Sequence, residues 1–399
     1  MSKEPWIGDK WWVSPFNFSV EIKKPERVIF HDVTLRDGEQ TPGVVFRKNE
    51  KVEIAKMLDE IGVQRIEAGM PVVSKEDEEA VRAIAKEELK AKVFGFARLV
   101  KEDIDAVIKC DVSGIICEGP LGLPKLKQFG WSNEDVYSKA LSSIDYAKSH
   151  GLYTVFFGVD GSRADLKFLI ELLTRLEKET KVDGFAIVDT YGCCSPEGLG
   201  YLLRKVKEKV NKPLEVHCHN DLGLAVACSI AGIMNGAEVV HTSINGIGER
   251  CGNASFEETA LCLKLLYGIE LDLKFEKFYE LSRLVERYSG FKLALNKPIV
   301  GINAFTREAG IAVAGWLKYY LGSEAFLPEL VGNKHDVVLG KKSGKHSIEW
   351  KLKQMNLEAT PEEVTKMLEL VKKLGEEKKG TITDEEFIEI YNKIRRSSA

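Results

Sequence analysis

A parallel (β/α)₈ barrel followed by a mainly helical extension is the fold this sequence predicts, on three observations. Short apolar or β-branched runs recur roughly every 20 to 40 residues, with amphipathic segments between them. The runs are nearly continuous in apolar residues, as strands covered on both faces should be. The chemically loaded residues stand just past the ends of these runs, which is where such barrels carry their active sites.

The runs are Val28–Asp32, Arg65–Gly69, Val93–Ala97, Gly114–Cys117, Tyr153–Phe157, Gly184–Val188, Leu214–His219 and Val239–Ser243. Segments such as Lys48–Ile61 and Pro196–Val210 carry apolar residues at helical spacing. Eight strands alternating with helices define an α/β chain of the TIM barrel type. A doubly wound open sheet is the alternative, but no Gly-rich dinucleotide turn follows the first strand. After about residue 270 helical stretches dominate, so the expected division is 1–270 for the barrel and 271–399 for C-terminal subdomains. The tail, Thr360–Ile394, reads as two charged helices around a turn at Gly380, with Thr383 as a cap and Glu386 three residues on.

The 399 residues suffice for a barrel plus an appendage. With 57 basic and 61 acidic side chains, the net charge is -4 and no Lys/Arg block stands apart from acids, so no nucleic-acid partner is expected. No run of about 18 apolar residues predicts a membrane span, and the N-terminus lacks a secretory pattern. The eight cysteines show no paired metal spacing and read as reduced thiols in a cytoplasmic protein. Glutamine is scarce beside abundant Lys and Glu, which fits a heat-loving source.

The first run ends at Asp32 and continues TLRDGEQTPG, placing Arg36, Asp37 and Gln40 just past the strand. The seventh ends in His217-Cys218-His219, and strand period two puts both imidazoles on one face while Cys218 packs on the other. Two imidazoles and Asp37 form a facial His₂-carboxylate set suited to Mg, Mn, Fe, Co or Zn. Such an ion chelates a 2-oxo acid and polarises its ketone. Arg36 adds a permanently charged donor to the oxygen that becomes an alkoxide, or else pairs with Asp32 or Glu39. Glu67 and Arg98, at the second and third strand ends, contact substrate or each other. His31 and His241 read as hydrogen-bonded core residues.

Together DVTLRDGEQTPG, HCHNDLGLAVA and NGIGERCGNAS resemble the DRE-TIM metallolyases, and the chain is similar to their 2-isopropylmalate, homocitrate and citramalate synthase branch. NKPIVG (Asn296–Gly301) and LGKKSGKHSI (Leu339–Ile348) look like that branch's C-terminal subdomain, which aldolases and HMG-CoA lyases lack. The resemblance implies a divalent metal on Asp37, His217 and His219 with Asn245 close by, and Arg36 as oxyanion stabiliser. It implies Thr190 and Gln40 as substrate contacts, acetyl-CoA as cosubstrate, and a homodimer whose C-terminal segments complete the neighbour's site. Lys341, Ser343 and Gly344 shape the CoA path or only a turn. The long leucine-sensing regulatory domain of many isopropylmalate synthases is not expected.

The sequence departs from this branch where its base machinery stands. FTREAGIA puts Arg307 and Ala312 at two histidine positions, Phe326 replaces a tyrosine, and FGVDGSRAD puts Val159 at a glutamate position while keeping Asp160. A guanidinium is no general base near neutral pH, so Arg307 is expected to bind a carboxylate or CoA phosphate and Glu308 to act as base. The expected activity is condensation of acetyl-CoA with a metal-bound 2-oxo acid, with homocitrate, (R)-citrate, citramalate or 2-isopropylmalate as product. A CoA-independent metal-dependent aldolase or lyase is the first alternative, and a non-catalytic metal-binding protein the second.

Overall fold

The computed structural model describes residues 4–398, which divide into two compact units. Asn17–Leu293 form one; the other joins the residues before Asn17 to those from Ala294 onward. The barrel unit therefore runs past the expected boundary at residue 270. An amphipathic helix, Phe278–Ser289, buries Phe278, Leu281, Leu284 and Val285, and its partners include Lys48–Ile61 of the same unit.

All eight expected strands form: β1 (Ile29–Asp32), β2 (Arg65–Gly69), β3 (Lys92–Arg98), β4 (Gly114–Pro120), β5 (Tyr153–Val159), β6 (Gly184–Asp189), β7 (Leu214–Cys218) and β8 (Val239–Thr242). They close in sequence order, β1 pairing in parallel with both β2 and β8. The connecting helices are α1 (Lys48–Ile61), α2 (Lys75–Ala85), α3 (Lys101–Ile108), α4 (Leu123–Phe129), α5 (Asn133–Ser149), α6 (Leu166–Glu179), α7 (Pro196–Lys207) and α8 (Ala225–Met234). α9 (Phe256–Tyr267) and α10 (Phe278–Ser289) complete the unit. Ser74, Asp165 and Ser195 each accept a backbone N–H at a helix start and fix where the chain leaves its loop.

The barrel interior is partly ionic. Phe94, Phe96, Ile116, Val155, Phe157, Ala186 and Val188 form one buried cluster. Against it, with His31 5.1 Å from Phe94, the His31 and His241 rings stack 4.3 Å apart. His31 Nε2 lies 3.0 Å from Glu67, His241 Nε2 lies 2.7 Å from Glu215, and Arg65 donates to Glu215 at 2.7 Å and to the Tyr153 hydroxyl at 3.1 Å. With Arg36 donating to Glu67, Glu67 and Glu215 thus each have an arginine and an imidazole, as an apolar interior demands of buried charge.

The second unit has a two-stranded parallel ladder, β9 (Thr306–Arg307) with β10 (Asp336–Val337), which the sequence does not announce. Around it lie α11 (Gly310–Trp316), α12 (Lys345–Gln354), α13 (Pro361–Lys378) and α14 (Asp384–Ser398). Trp316, Met367, Val371 and Phe387 are fully buried in its core. The two tail helices are those expected, and Thr383 and Glu386 bond each other's backbone N–H at 2.7 and 3.3 Å. A β-carbon at Gly310 would stand 2.5 Å from Gly344 Cα, so backbone packs on backbone there. Trp11 bridges Phe326 in this unit, so the residues before Asn17 leave the barrel domain in which the sequence reading placed them.

Candidate active site

The turn after β1 is built by Asp32. Its carboxylate accepts from Thr34 N at 2.9 Å and Thr34 Oγ1 at 3.0 Å, and Gly38 N then donates to Val33 O. Burial pushes the Asp32 carboxyl up to about 7 against those hydrogen bonds. The tight turn aims Arg36 and Asp37, both buried, at the barrel mouth.

Asp37 Oδ2 lies 3.5 Å from His217 Nε2 and 3.7 Å from His219 Nε2, and the two Nε2 atoms are 3.2 Å apart. Donors about 2.1 Å from one ion at cis positions must stand about 3 Å apart, so the three atoms fit one face of an octahedron. Burial would raise the Asp37 carboxyl, but Arg36 and then the two imidazoles hold it well below the usual range. Burial lowers both histidines, His219 to about 4, which keeps the imidazoles neutral as ligation requires. Among the described residues one other group has ligand atoms close enough to share an ion, His31, Glu215 and His241. Arg65 already neutralises its carboxylate, and none of its side chains is exposed.

Arg36 pairs with neither Asp32 nor Glu39. Its Nη1 donates to Asp37 Oδ2 and to Gln40 Oε1, each at 3.0 Å, and its Nε to Glu67 Oε1. Its Cζ lies 4.1 Å from the Phe96 ring centroid. The remaining nitrogen, Nη2, is buried without a partner among the described residues. Such a donor is expensive unless a ligand oxygen takes it.

Other expected residues fall differently. Glu67 is fully buried behind Arg36, with its carboxyl at about 2; burial pushes it up, and Arg36 and His31 pull it down further. Arg98 does not meet Glu67 but forks onto Asp103 at 2.7 and 2.9 Å. Asp160, buried at a left-handed φ of 63°, is clamped by Arg163 at 2.7 and 2.8 Å. Thr190 Oγ1 accepts from Asp160 N at 2.8 Å, and Asp189 accepts from Ser162 Oγ and the N–H groups of Cys193 and Cys194.

Asn245, expected near the metal, is turned elsewhere. It takes φ 62°, its Nδ2 donates to Ser282 O at 3.0 Å, and its Oδ1 accepts from Ser282 Oγ at 2.5 Å, so α10 holds both ends of the amide. Asn253, eight residues on in the same motif, fits better. Its backbone bridges His219, its Nδ2 donates to Ile247 O at 3.1 Å, and its Oδ1 is buried without a partner among the described residues. A β-carbon at Gly248 would lie 2.2 Å from Asn253 Nδ2 and 3.0 Å from Asp37 Oδ1, so both side chains flank one point. Which of the motif's two asparagines faces the site depends on the loop's path, which its spelling does not reveal.

Sequence reasoning also passes over Glu118, although it stands at the end of β4 as Glu67 and Arg98 stand at theirs. Its backbone pairs with Arg98 and Phe157 in the sheet, but its carboxylate has no hydrogen bond or ion pair among the described residues.

In the second unit, Arg307 Nη2 donates to the buried carboxylate of Glu324 at 3.3 Å. Trp316 Nε1 and His335 Nε2 reach the same carboxylate at 2.9 Å each. Glu308 Oε1 accepts from Lys342 N at 3.0 Å and Oε2 pairs with Lys342 Nζ at 3.2 Å, so both its oxygens are engaged in the 340–344 loop. Ser343 Oγ accepts from Gly340 N in that loop, whereas Lys341 pairs with Glu376 at the surface. Arg307, Glu324, Phe305 and Phe326 line a cavity of about 300 Å³.

An eight-stranded parallel barrel carrying a His₂-carboxylate cluster and an aimed arginine at its mouth defines a class of metal-site barrel proteins. Within that class the chain belongs to the HMGL-like family, whose model matches residues 27–285, and a homocitrate synthase post-HMGL domain-like model matches 299–379. Homocitrate synthase AksA of Methanothermobacter thermautotrophicus is 42% identical over 97% of this chain and 98% of its own length. The (R)-citramalate synthase CimA and the 2-isopropylmalate synthase of Methanocaldococcus jannaschii are each 42% identical, over 91% and 90% of this chain and 74% and 70% of their own. Among solved structures, the HMG-CoA lyase of Bacillus subtilis shares the fold at TM-score 0.61 and 19% identity, covering 68% of this chain and 97% of that one.

Proposed function

We propose that the chain joins the methyl carbon of acetyl-CoA to the ketone carbon of a 2-oxo acid and releases free CoA, with a homocitrate-type product first among the candidates. One observation carries the reading. Similarity to homocitrate, citramalate and isopropylmalate synthases runs through both units, whereas the HMG-CoA lyase fold accounts for 68% of the chain.

Asp37, His217 and His219 are the residues that hold the divalent ion, and the unpartnered Oδ1 of Asn253 supports it as a fourth donor. When bound, the ion supplies Lewis-acid polarisation of the ketone and counter-charge for the alkoxide. The chain's own groups do the rest. Arg36 Nη2 donates to the developing alkoxide, where a fixed charge in a dry site is worth most. Glu67, Gln40 and the Phe96 ring hold that guanidinium in place, so little reorganisation accompanies the reaction. We assign the chain to the cytoplasm as a homodimer; no helix among the described residues is long and apolar enough to cross a membrane.

The departures at Arg307, Ala312, Phe326 and Val159 favour the second reading, a CoA-independent lyase or aldolase on the same metal chemistry. Release of free thiol from acetyl-CoA separates the two. The assay uses Mg²⁺ or Mn²⁺ with 2-oxoglutarate, oxaloacetate, pyruvate, 2-oxoisovalerate and longer 2-oxo diacids. Thiol release that needs one oxo acid and disappears in His217→Ala is the expected result. Bound metal without thiol release from any pair would sink the condensation.

A further inference from the structure

Condensation needs a base for the acyl methyl proton, and the groups at the barrel mouth narrow the choice. His217 and His219 converge on Asp37, while His31 and His241 are fully buried and tied to Glu67 and Glu215. The strand-end acids Asp32, Glu67, Asp160 and Asp189 are engaged by Thr34, Arg36, Arg163 and Ser162. Asp37 faces the imidazoles and Arg36. Glu118 remains, the strand-end acid whose carboxylate has no hydrogen bond or ion pair among the described residues.

Its direction follows from register. Glu118 pairs with Phe157 on β5 and with Arg98 on β3. Residues paired across a sheet present side chains to the same face. The Phe157 ring meets the His217 ring at 5.2 Å between centroids, and Arg36 Cζ lies 5.9 Å from its centre. Two residues earlier on the same face, Ile116 packs in the interior cluster with Phe96 and Phe157. The Glu118 side chain therefore belongs to the face that carries Arg36 and the imidazoles.

We propose that Glu118 is the general base that takes the methyl proton of the acyl thioester, a role that rests on the condensation reading. The methyl C–H bond breaks, its electron pair stays on carbon as the thioester enolate, and the proton passes to the Glu118 carboxylate. The carbon then bonds to the ketone carbon, and the C=O π pair moves onto the oxygen beside Arg36, which is subsequently protonated. Water cleaves the thioester, giving a carboxylate and the CoA thiol. Burial pushes the Glu118 carboxyl above its ordinary value, against Arg36, Arg98 and Lys125 and with a smaller push from Asp103. A carboxylate so shifted is a stronger base.

The test compares the full-length metal-loaded enzyme with Glu118→Gln and Glu118→Asp. Three readouts are CoA thiol release, the pH profile of kcat/KM, and deuterium uptake into the acetyl-CoA methyl group in D₂O with the 2-oxo acid present. Glu118→Gln is expected to lower kcat and exchange roughly 10²- to 10⁴-fold with melting temperature and metal affinity unchanged. Glu118→Asp should keep the acid limb of the profile. Condensation or exchange in Glu118→Gln within threefold of the parent would overturn the assignment while leaving the condensation intact. Exchange that needs Glu118 without condensation on any oxo acid would uphold the base and refute the reading around it. Absence of both in the parent would refute both.

Discussion

Glu67→Gln removes one carboxylate charge from behind Arg36 and changes little else in shape. The Glu67 carboxyl sits at about 2 against an ordinary 4.5. At about 1.4 kcal/mol per pH unit, its ionised form contributes roughly 3 kcal/mol to folding. Removing one partner of a buried pair independently costs about 3–5 kcal/mol. The two routes agree near 3 kcal/mol, or roughly 6 °C in melting temperature for a unit of this size. The sign with pH follows from a folded value below the unfolded one: the contribution is present above 4.5 and is lost as pH falls through about 2. Urea unfolding followed by circular dichroism at pH 7, 4.5 and 3 should show the gap between parent and variant steady down to pH 4.5 and narrowing below it. A loss under about 1 kcal/mol, or a gap unchanged at pH 3, would refute the view that Glu67 is the charged anchor of Arg36.

Asn253→Ala should weaken Mn²⁺ binding on the order of tenfold or more by calorimetry, whereas Asn245→Ala should keep metal affinity and lose about 1–3 kcal/mol of stability through the orphaned Ser282 groups. For Asp32, held at about 7 against an ordinary 3.8, the contribution is full below 3.8 and lost as pH rises through 7. Stability should therefore slope down across that window by at most about 1.4 kcal/mol per pH unit, and Asp32→Asn should flatten the slope. Glu308→Gln should leave turnover within about threefold and stability within about 1 kcal/mol, since it weakens only a pair whose lysine is exposed; a hundredfold loss of kcat would restore Glu308 as the base.

Much of the barrel is legible in the chain because parallel strands buried on both faces must be apolar, and amphipathic helices separate them. The metal cluster is legible for a related reason. Period two aligns His217 with His219, and closure of the barrel brings the end of β1 beside them. The resemblance points to Asn245 and passes over Asn253, since a left-handed φ at Asn245 is a property of the folded loop. Arg98 was readable in principle: Asp103 follows five residues later in the first turn of α3, within reach of a long side chain. Glu308 and Arg307 resist sequence reasoning because their partners, Lys342 and Glu324, arrive from loops 34 and 17 residues away. The β9–β10 ladder is too short to leave a period.

In many barrels the mouth behaves as a set of interchangeable loops on an indifferent cylinder. Here the guanidinium offered by the loop after β1 is gripped from below by a residue of β2. That residue leans on an imidazole of β1, stacked in turn on one from β8 that holds the carboxylate of β7. Transplanting the loops onto another scaffold would carry Arg36 across without its buttress, held only by Asp37 and Gln40 of its own loop. Exchange of function in this fold would have to move a slice of the cylinder together with the rim.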